Sequence, residues 1–391
     1  MAIASTLRTV GRHGRDAMRA LALLPRGIAL RLAPPPAGEV RVFYGHRRIP
    51  RPGEPALGGL VKFQAMETLY ANSPQSFNVL YMVSSSLPPV AASLVRLARV
   101  AGARFVLNQN GVAYPGWWGA GYERVNAPLA HLLHRADHVF YQSDFCRRAA
   151  DRFLGARTGP WEILYNAIDT ERFAPAAPPL PSSPVVLLMA GTQDALYTVR
   201  TAFEAVAALA RGGIDTRLLV AGRLRWTPDE AACARAARQD AARLGIGDRV
   251  EFVGLYTQAT APALYRRAHV LLHTTYNDPC PSPVIEALAS GLPVVHSLSG
   301  GVPELVGPEA GVGIPVEQGW DRDVACDPQA VAAAVEALMA RRDAVVAAAR
   351  RRATARFDVR PWLARHREAF ESLILGGAVS AVRPSGVEMT S

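Results

Sequence analysis

The sequence is poor in cysteine: Cys146, Cys233, Cys280 and Cys326 are the only four in 391 residues, and no two stand at CxxC spacing. That scatter argues against a thiolate zinc centre and against a disulfide framework, leaving reduced thiols in a cytosolic chain as the expectation. Lysine is scarcer still, with Lys62 the single copy, so the positive charge is almost wholly arginine, a bias that a GC-rich genome partly accounts for. Long apolar runs are missing as well. Nothing approaches the roughly 20 residues of a membrane-spanning helix, and Leu21–Leu24 is too short for the core of a secretion signal. The expectation is a soluble or peripheral protein. No Gly-x-Gly-x-x-Gly follows a first strand, which disfavours a nicotinamide cofactor. His131, His134, Asp137 and His138 invite a metal reading. However, the helix carrying the first two should end near Ala136, so the set would not converge; no metal and no cofactor are expected.

What is present suffices for two hydrophobic cores, since half of the residues are apolar. The formal charge of +10 favours anionic partners without choosing among nucleic acid, acidic lipid and phosphorylated metabolites. Residues 1–38 form a basic segment in which Arg8, Arg12, Arg15, Arg19, Arg26 and Arg31 are mixed with leucines at partly helical spacing. It reads either as a solvated helix on its own domain, or partly ordered terminus, or as a surface for anionic membrane.

From Glu39 onward, short β-branched runs alternate with helix-length segments. Strands are expected at Val40–Tyr44, Asn78–Val83, Phe105–Asn108, His138–Tyr141 and Glu162–Tyr165, and, after the proline-rich stretch from Phe173 to Pro184, at Val185–Met189, Leu218–Val220, Val250–Val253, Val270–His273 and Pro293–His296. Strict alternation implies parallel sheets covered by helices. The expected class is α/β with two doubly wound, Rossmann-like domains facing a central cleft. Residues 39–175 form the first domain, 176–184 the linker, 185–355 the second domain, 356–376 a helix crossing back to the first domain, and 377–391 a tail.

The densest motif runs from Asp278 to Glu286, DPCPSPVIE, followed by ALASGLPVV and by GGVPELV from Gly300. Ser282 suits an N-cap and Pro283 the first helical position, so a helix should begin here, just past a strand. Its amide end would suit a diphosphate, with Cys280 and Ser282 as the donors that the prolines leave. Glu286, read as first-turn, could accept two ribose hydroxyls, and Asp278 a sugar hydroxyl; the plain alternative is a capped turn and a favourable helix start.

This motif, with YNAIDTERFAP from Tyr165 to Pro175 and the Gly58-Gly59 pair after the first strand, resembles the signature of the family 4 retaining glycosyltransferases. The resemblance implies the two-domain GT-B fold. It also implies a nucleotide-sugar donor held by the second domain and a glycan or lipid-linked acceptor held mainly by the first, with transfer in the cytoplasm, at the inner face of the membrane or free of it, and no nucleic acid as partner. Two glutamates separated by seven residues bind the donor in that family; here the first is Asp278, and Glu286 alone matches by identity. Gly58 and Gly59 would lie under the donor phosphates, and Gly300 and Gly301 beside them.

Three departures stand out. In GTQDALYTVR, Thr192 and Tyr197 occupy the places of the family's arginine and lysine, so Arg200, or Arg223 and Arg225, are candidates to supply the charge or are solvated surface. Asn110-Gly111 stands where the family often has His-Gly, and asparagine can bond a hydroxyl but cannot shuttle a proton. The candidate catalytic set is therefore Asp278, Glu286 and Asn110. Tyr114, Trp117, Trp118 and Tyr122 offer either an acceptor platform or a local apolar cluster, and Arg47, Arg48 and Arg51 either an anion site or plain surface charge. Two rival functions stand beside this reading: a non-catalytic carbohydrate- or nucleotide-binding protein on the same scaffold, which the departures motivate, and a nucleotide-sugar epimerase.

Overall fold

The computed structural model describes residues 24–51, 54 and 58–376. Most of the basic segment 1–38, through residue 23, and the tail 377–391 lie outside the described residues. Two compact units divide the chain.

In the first unit the order is α1 (24–32), β1 (Val42–Phe43), α2 (Gly59–Met66), β2 (Val79–Val83), α3 (Ala91–Ala101), β3 (Arg104–Gln109), α4 (Pro115–Trp118), α5 (Tyr122–Leu133), β4 (His138–Tyr141), α6 (Asp144–Phe153) and β5 (Trp161–Ile163). Residues 115–117 group with the second unit. The five strands pair in parallel, and neighbours in sequence are neighbours in space. Their residues are almost all buried, as expected of β-branched and aromatic runs covered on both faces. The end of the chain returns to this unit: in α14 (Val359–Leu375), residues from Pro361 group with it. Buried His366 packs at a tilt against the rings of Trp362 and Phe140 and bonds the Tyr81 hydroxyl at 3.0 Å. Arg365 grips Glu162 of β5 through two donors, and Glu162 also bonds His138 at 2.9 Å.

The second unit contains β6 (Val185–Ala190), α7 (Leu196–Arg211), β7 (Thr216–Ala221), α8 (Glu230–Arg243), β8 (Val250–Gly254), α9 (Ala261–Tyr265), β9 (Val270–His273), α10 (Ser282–Ala289), β10 (Val294–Ser297), α11 (Val302–Val306), β11 (Gly311–Ile314), α12 (Pro328–Ala340) and α13 (Arg342–Arg356). Its six parallel strands run in the order β11-β10-β9-β6-β7-β8. The chain thus leaves β6 in one direction, through β7 to β8, and resumes on its other side at β9. That reversal places a crevice at the carboxyl ends of β6 and β9, the position where open α/β sheets bind ligands.

Two strand expectations match residue for residue, at His138–Tyr141 and Val270–His273, and most others shift by one or two positions. Val40–Tyr44 shortens to two residues because only Val42 and Phe43 find partners on β2. Strand β11 was not expected: its sequence, GVGI, carries no alternation, and it exists because β10 offers a free edge. Helices α4, α9 and α11 are four or five residues long, too short for a periodic signal.

Candidate functional site

The site in the second unit begins where β6 and β9 end. Strand β9 closes on His273, whose Cα lies opposite that of His296 on β10. The chain then turns through Asn277, the one described non-glycine residue with positive φ, at 52°. Asparagine tolerates this left-handed backbone better than most residues. Its conformation is fixed from both sides: the amide N–H donates to Ser299 Oγ at 2.9 Å, and Nδ2 donates to the Gly319 carbonyl at 2.9 Å. The next residue, Asp278, accepts from the Gly301 N–H at its carbonyl, 2.9 Å, and meets His273 Nε2 with its Oδ2 at 3.1 Å.

Gly300 makes this approach possible. It has φ 70°, and a Cβ there would sit 2.5 Å from the Asp278 carbonyl oxygen, so the Gly300-Gly301 pair is required for the motif's two segments to pack.

Helix α10 departs from the expected cap. Pro281, not Ser282, is the N-cap, Ser282 and Pro283 are the first two helical residues, and no side chain caps the end. Proline fixes the extended φ that the cap position needs but offers no acceptor side chain, so the terminal amides are left to other partners. Cys280 is buried, and its carbonyl accepts from Asn166 Nδ2 at 2.8 Å, which ties the YNAIDTERFAP segment to the loop.

Glu286 lies in the second turn of α10, one turn later than expected, because the helix starts at Ser282. It is half-buried, and its Oε2 accepts from the Tyr265 hydroxyl at 2.7 Å. Burial pushes its carboxyl up to about 7, with the Tyr265 hydrogen bond pulling the other way. Tyr256 completes the cluster, its hydroxyl beside that of Tyr265 and the backbone of Gly191. Sequence reasoning missed Tyr265 and Tyr256; Tyr265 ends the five-residue α9, and neither bears a motif.

The expected cation positions resolve individually. Thr192 is exposed in the loop after β6. Tyr197 serves as a post: its buried hydroxyl accepts from the Tyr276 N–H at 2.9 Å, and burial raises its pKa. Arg200 turns to α8, where its Nε meets Asp240 at 3.1 Å. Arg223 and Arg225 flank the loop after β7, which pairs with the loop after β6 through Gln193 and Leu224. Arg225 bonds Asp194 at 2.9 Å, and Arg223 lies 3.7 Å from Glu230.

In the first unit, Gly58 caps α2 with φ 55°, and the Gly59 N–H donates to Ser86 Oγ at 3.0 Å. A side chain at Gly59 would strike Val83 at 2.7 Å. Asn110 lies just past β3, its N–H donating to Ser84 Oγ at 2.8 Å and its Nδ2 to Ser85 Oγ at 2.7 Å. These glycines and Asn110 thus share one carboxyl edge, with the serines between them. Of the aromatic set, Tyr114 is buried and stacks on Phe153, and Tyr122 meets the same ring edge-on, whereas Trp117 and Trp118 are 59% and 51% exposed. The candidate platform therefore divides: two rings are committed to packing and two reach solvent. Arg48 pairs with Glu54, and Arg47 is exposed. His131 contacts Arg135, His134 the Leu154 carbonyl and His138 Glu162, three separate engagements. All four cysteines are buried and none is in a disulfide among the described residues.

Two Rossmann-like parallel-sheet units in one chain define the GT-B class of fold, and solved structures of glycosyltransferases share it. HepE from Anabaena, in its complex with UDP-glucose, superposes with a TM-score of 0.61 at 18% identity, over 80% of this chain and 82% of that one. Sucrose-phosphate synthase from Thermosynechococcus elongatus gives 0.61 at 20% identity, over 81% and 77% of the two chains. Residues 184–341 match the family described as Glycosyl transferases group 1. Curated relatives include glycogen synthase from Mycobacterium tuberculosis, 28% identical over 62% of this chain and 55% of its own length. D-inositol 3-phosphate glycosyltransferase from Saccharomonospora viridis is 31% identical over 46% of this chain and 43% of its own length. The chain thus spans about half the length of the curated relatives it matches.

Proposed function

We propose that this protein is a glycosyltransferase that moves a sugar from a nucleotide-diphosphate donor to a glycan or lipid-linked acceptor. The observation that supports the reading is that Asp278, in the loop after β9, and α10, with Glu286 in its second turn, follow the strand at the order reversal of the second sheet. Glu286, with one oxygen held by Tyr265, has Oε1 to offer a ribose. Asp278 has Oδ1 to offer a sugar hydroxyl, and the loop and helix amides face a pyrophosphate without a metal ion. Similarity to the group 1 family and to UDP-sugar-bound neighbours supports the donor class.

Retention of anomeric configuration follows on this reading from the family 4 resemblance. Asn110 would orient an acceptor or sugar hydroxyl, and the departing phosphate would take the acceptor's proton, since asparagine cannot. Arg223 and Arg225, on the loop that pairs with the loop after β6 and partly exposed in their ion pairs with Glu230 and Asp194, would balance charge growing on the diphosphate. Trp117 and Trp118 would offer apolar ring faces to a glycan. A role in surface polysaccharide or glycolipid synthesis, in the cytoplasm or at the inner face of the membrane, completes the proposal.

A non-catalytic binding protein is favoured by two observations: Tyr197 spends its hydroxyl on the Tyr276 backbone, and Arg200 pairs with Asp240. Incubation with a panel of nucleotide-sugars separates the two. Donor hydrolysis or transfer that is lost in Glu286→Ala supports the enzyme; binding without turnover across donors and acceptors refutes it. Isomerised donor formed with no acceptor present would identify an epimerase instead.

A further inference from the structure

Each acid of the second unit's site is held at one oxygen by a side chain from earlier in the chain: Glu286 by Tyr265 of α9, and Asp278 by His273 of β9. The second pairing was not foreseen, and it has a structural cost. His273 is nearly buried, and bringing Asp278 back onto it after only four intervening residues requires the left-handed Asn277. That turn is secured by Ser299 and the Gly319 carbonyl, and Asp278 itself by the Gly301 N–H. Left-handed backbone at a non-glycine residue persists where its surroundings hold it, and such positions concentrate at functional sites. Here the consequence is that the carboxylate of Asp278 is aimed, not free to rotate.

The chemistry of the pair is one-sided. A carboxylate acceptor makes Nε2 the protonated ring nitrogen, so His273 donates and Asp278 Oδ2 accepts. Asp278 Oδ1 has no protein partner among the described residues and remains accessible, its side chain being 23% exposed. A single open oxygen of fixed direction suits one hydroxyl of a bound sugar.

We infer that His273 is a positioning residue for Asp278, which sets affinity for the sugar half of the donor without affecting the diphosphate half. The inference rests on the proposed donor site. His273 touches no substrate in this role; it acts through the aspartate. A hydroxyl-rich pyranose is the ligand class, since an acceptor oxygen held rigid gains little from a sugar lacking a hydroxyl at that place.

The test is equilibrium binding of glucose-bearing nucleotides, UDP-, GDP- and ADP-glucose, each beside its own diphosphate, to the full chain. His273→Leu should weaken the nucleotide-sugar about tenfold and leave the matching diphosphate within about twofold. His273→Gln, whose Nε2 reaches the same place as the imidazole Nε2, should restore the wild-type ratio. If the leucine variant does not fold, His273→Asn takes its place, its amide being too short to reach Oδ2, with the same split expected. Equal losses for sugar-bearing and bare nucleotides, or no loss in either, would overturn the inference and leave the donor site standing. Binding of no nucleotide by the wild type would remove both.

Discussion

The hydroxyl of Tyr265 donates to Glu286 Oε2 across 2.7 Å, and this bond compensates an acid carried by a largely apolar helix. Helix α10 is buried at Val284, Ile285, Ala287, Leu288 and Ala289, so Glu286 is its single polar feature facing the Tyr256 and Tyr265 cluster. Without a donor beside it, the ionised form would have no compensation for leaving water.

Glu286 should give nucleotide binding a distinctive pH dependence. Its carboxyl is raised to about 7, above the unfolded value near 4.5. Ionisation inside the fold is therefore unfavourable, and the folded state loses stability as pH rises from about 4.5 through 7. On the proposed reading ligand affinity moves oppositely, because the ionised form would accept a ribose hydroxyl at Oε1 while Tyr265 holds Oε2. Relative to Glu286→Gln, wild-type affinity for a nucleoside diphosphate should climb between pH 5.5 and 7.5 and then level off. The glutamine variant should gain thermal stability at pH 8, by on the order of 1–2 kcal/mol, and show no such climb. Isothermal titration and thermal melts across that range check both.

Tyr265→Phe removes the one hydrogen bond that lowers the Glu286 pKa. The inflection in nucleotide affinity should move to higher pH than in the wild type, and affinity at pH 7 should drop about three- to tenfold. An inflection that stays in place would show that Glu286 has another donor.

Gly300→Ala tests the packing of the two motif segments. The new methyl would face the Asp278 carbonyl at 2.5 Å from a backbone with φ 70°. We expect a loss of about 2–4 kcal/mol in stability by denaturant titration, together with loss of donor binding, since Asp278 must move.

Arg365→Met tests the anchor of the last helix. Buried Glu162 takes hydrogen bonds from His138 and from Arg365, and although burial pushes its carboxyl up, these partners hold it below the usual range. Removing the guanidinium leaves the acid under-compensated, at a cost of about 3 kcal/mol at pH 7. A depressed pKa contributes stability above the unfolded value that is lost as pH falls. Hence the difference between wild type and variant should shrink as pH drops below about 4, measured by chemical unfolding.

Arg200→Ala and Arg225→Ala separate the two candidate arginines. Arg200 faces Asp240 on α8, so its loss should leave donor affinity within about twofold. Arg225 stands on the loop that pairs with the loop after β6, and its loss should weaken diphosphate binding about tenfold, a decrease that added salt would blunt.

Local chemistry by itself determined much of this protein. Runs such as VVLLMA and VLLH alternate with helical segments, and such runs are stable only as buried parallel strands, so the two α/β units were legible from residue order. DPCPSPVIE likewise announced a loop, a helix start and two acids, because proline and acid spacing act within a few residues. Tertiary structure decided what depended on partners distant in the chain. Edge strand β11 forms only because β10 is there to bond it. Pro281 took the cap from Ser282, and Tyr197, in the place of an expected cation, became a post for Tyr276. The pairs that aim the acids, His273 with Asp278 and Tyr265 with Glu286, follow from strand register and from where a five-residue helix stops. Periodicity carries no record of such contacts, since it reports which face is buried and not which polar atom waits there.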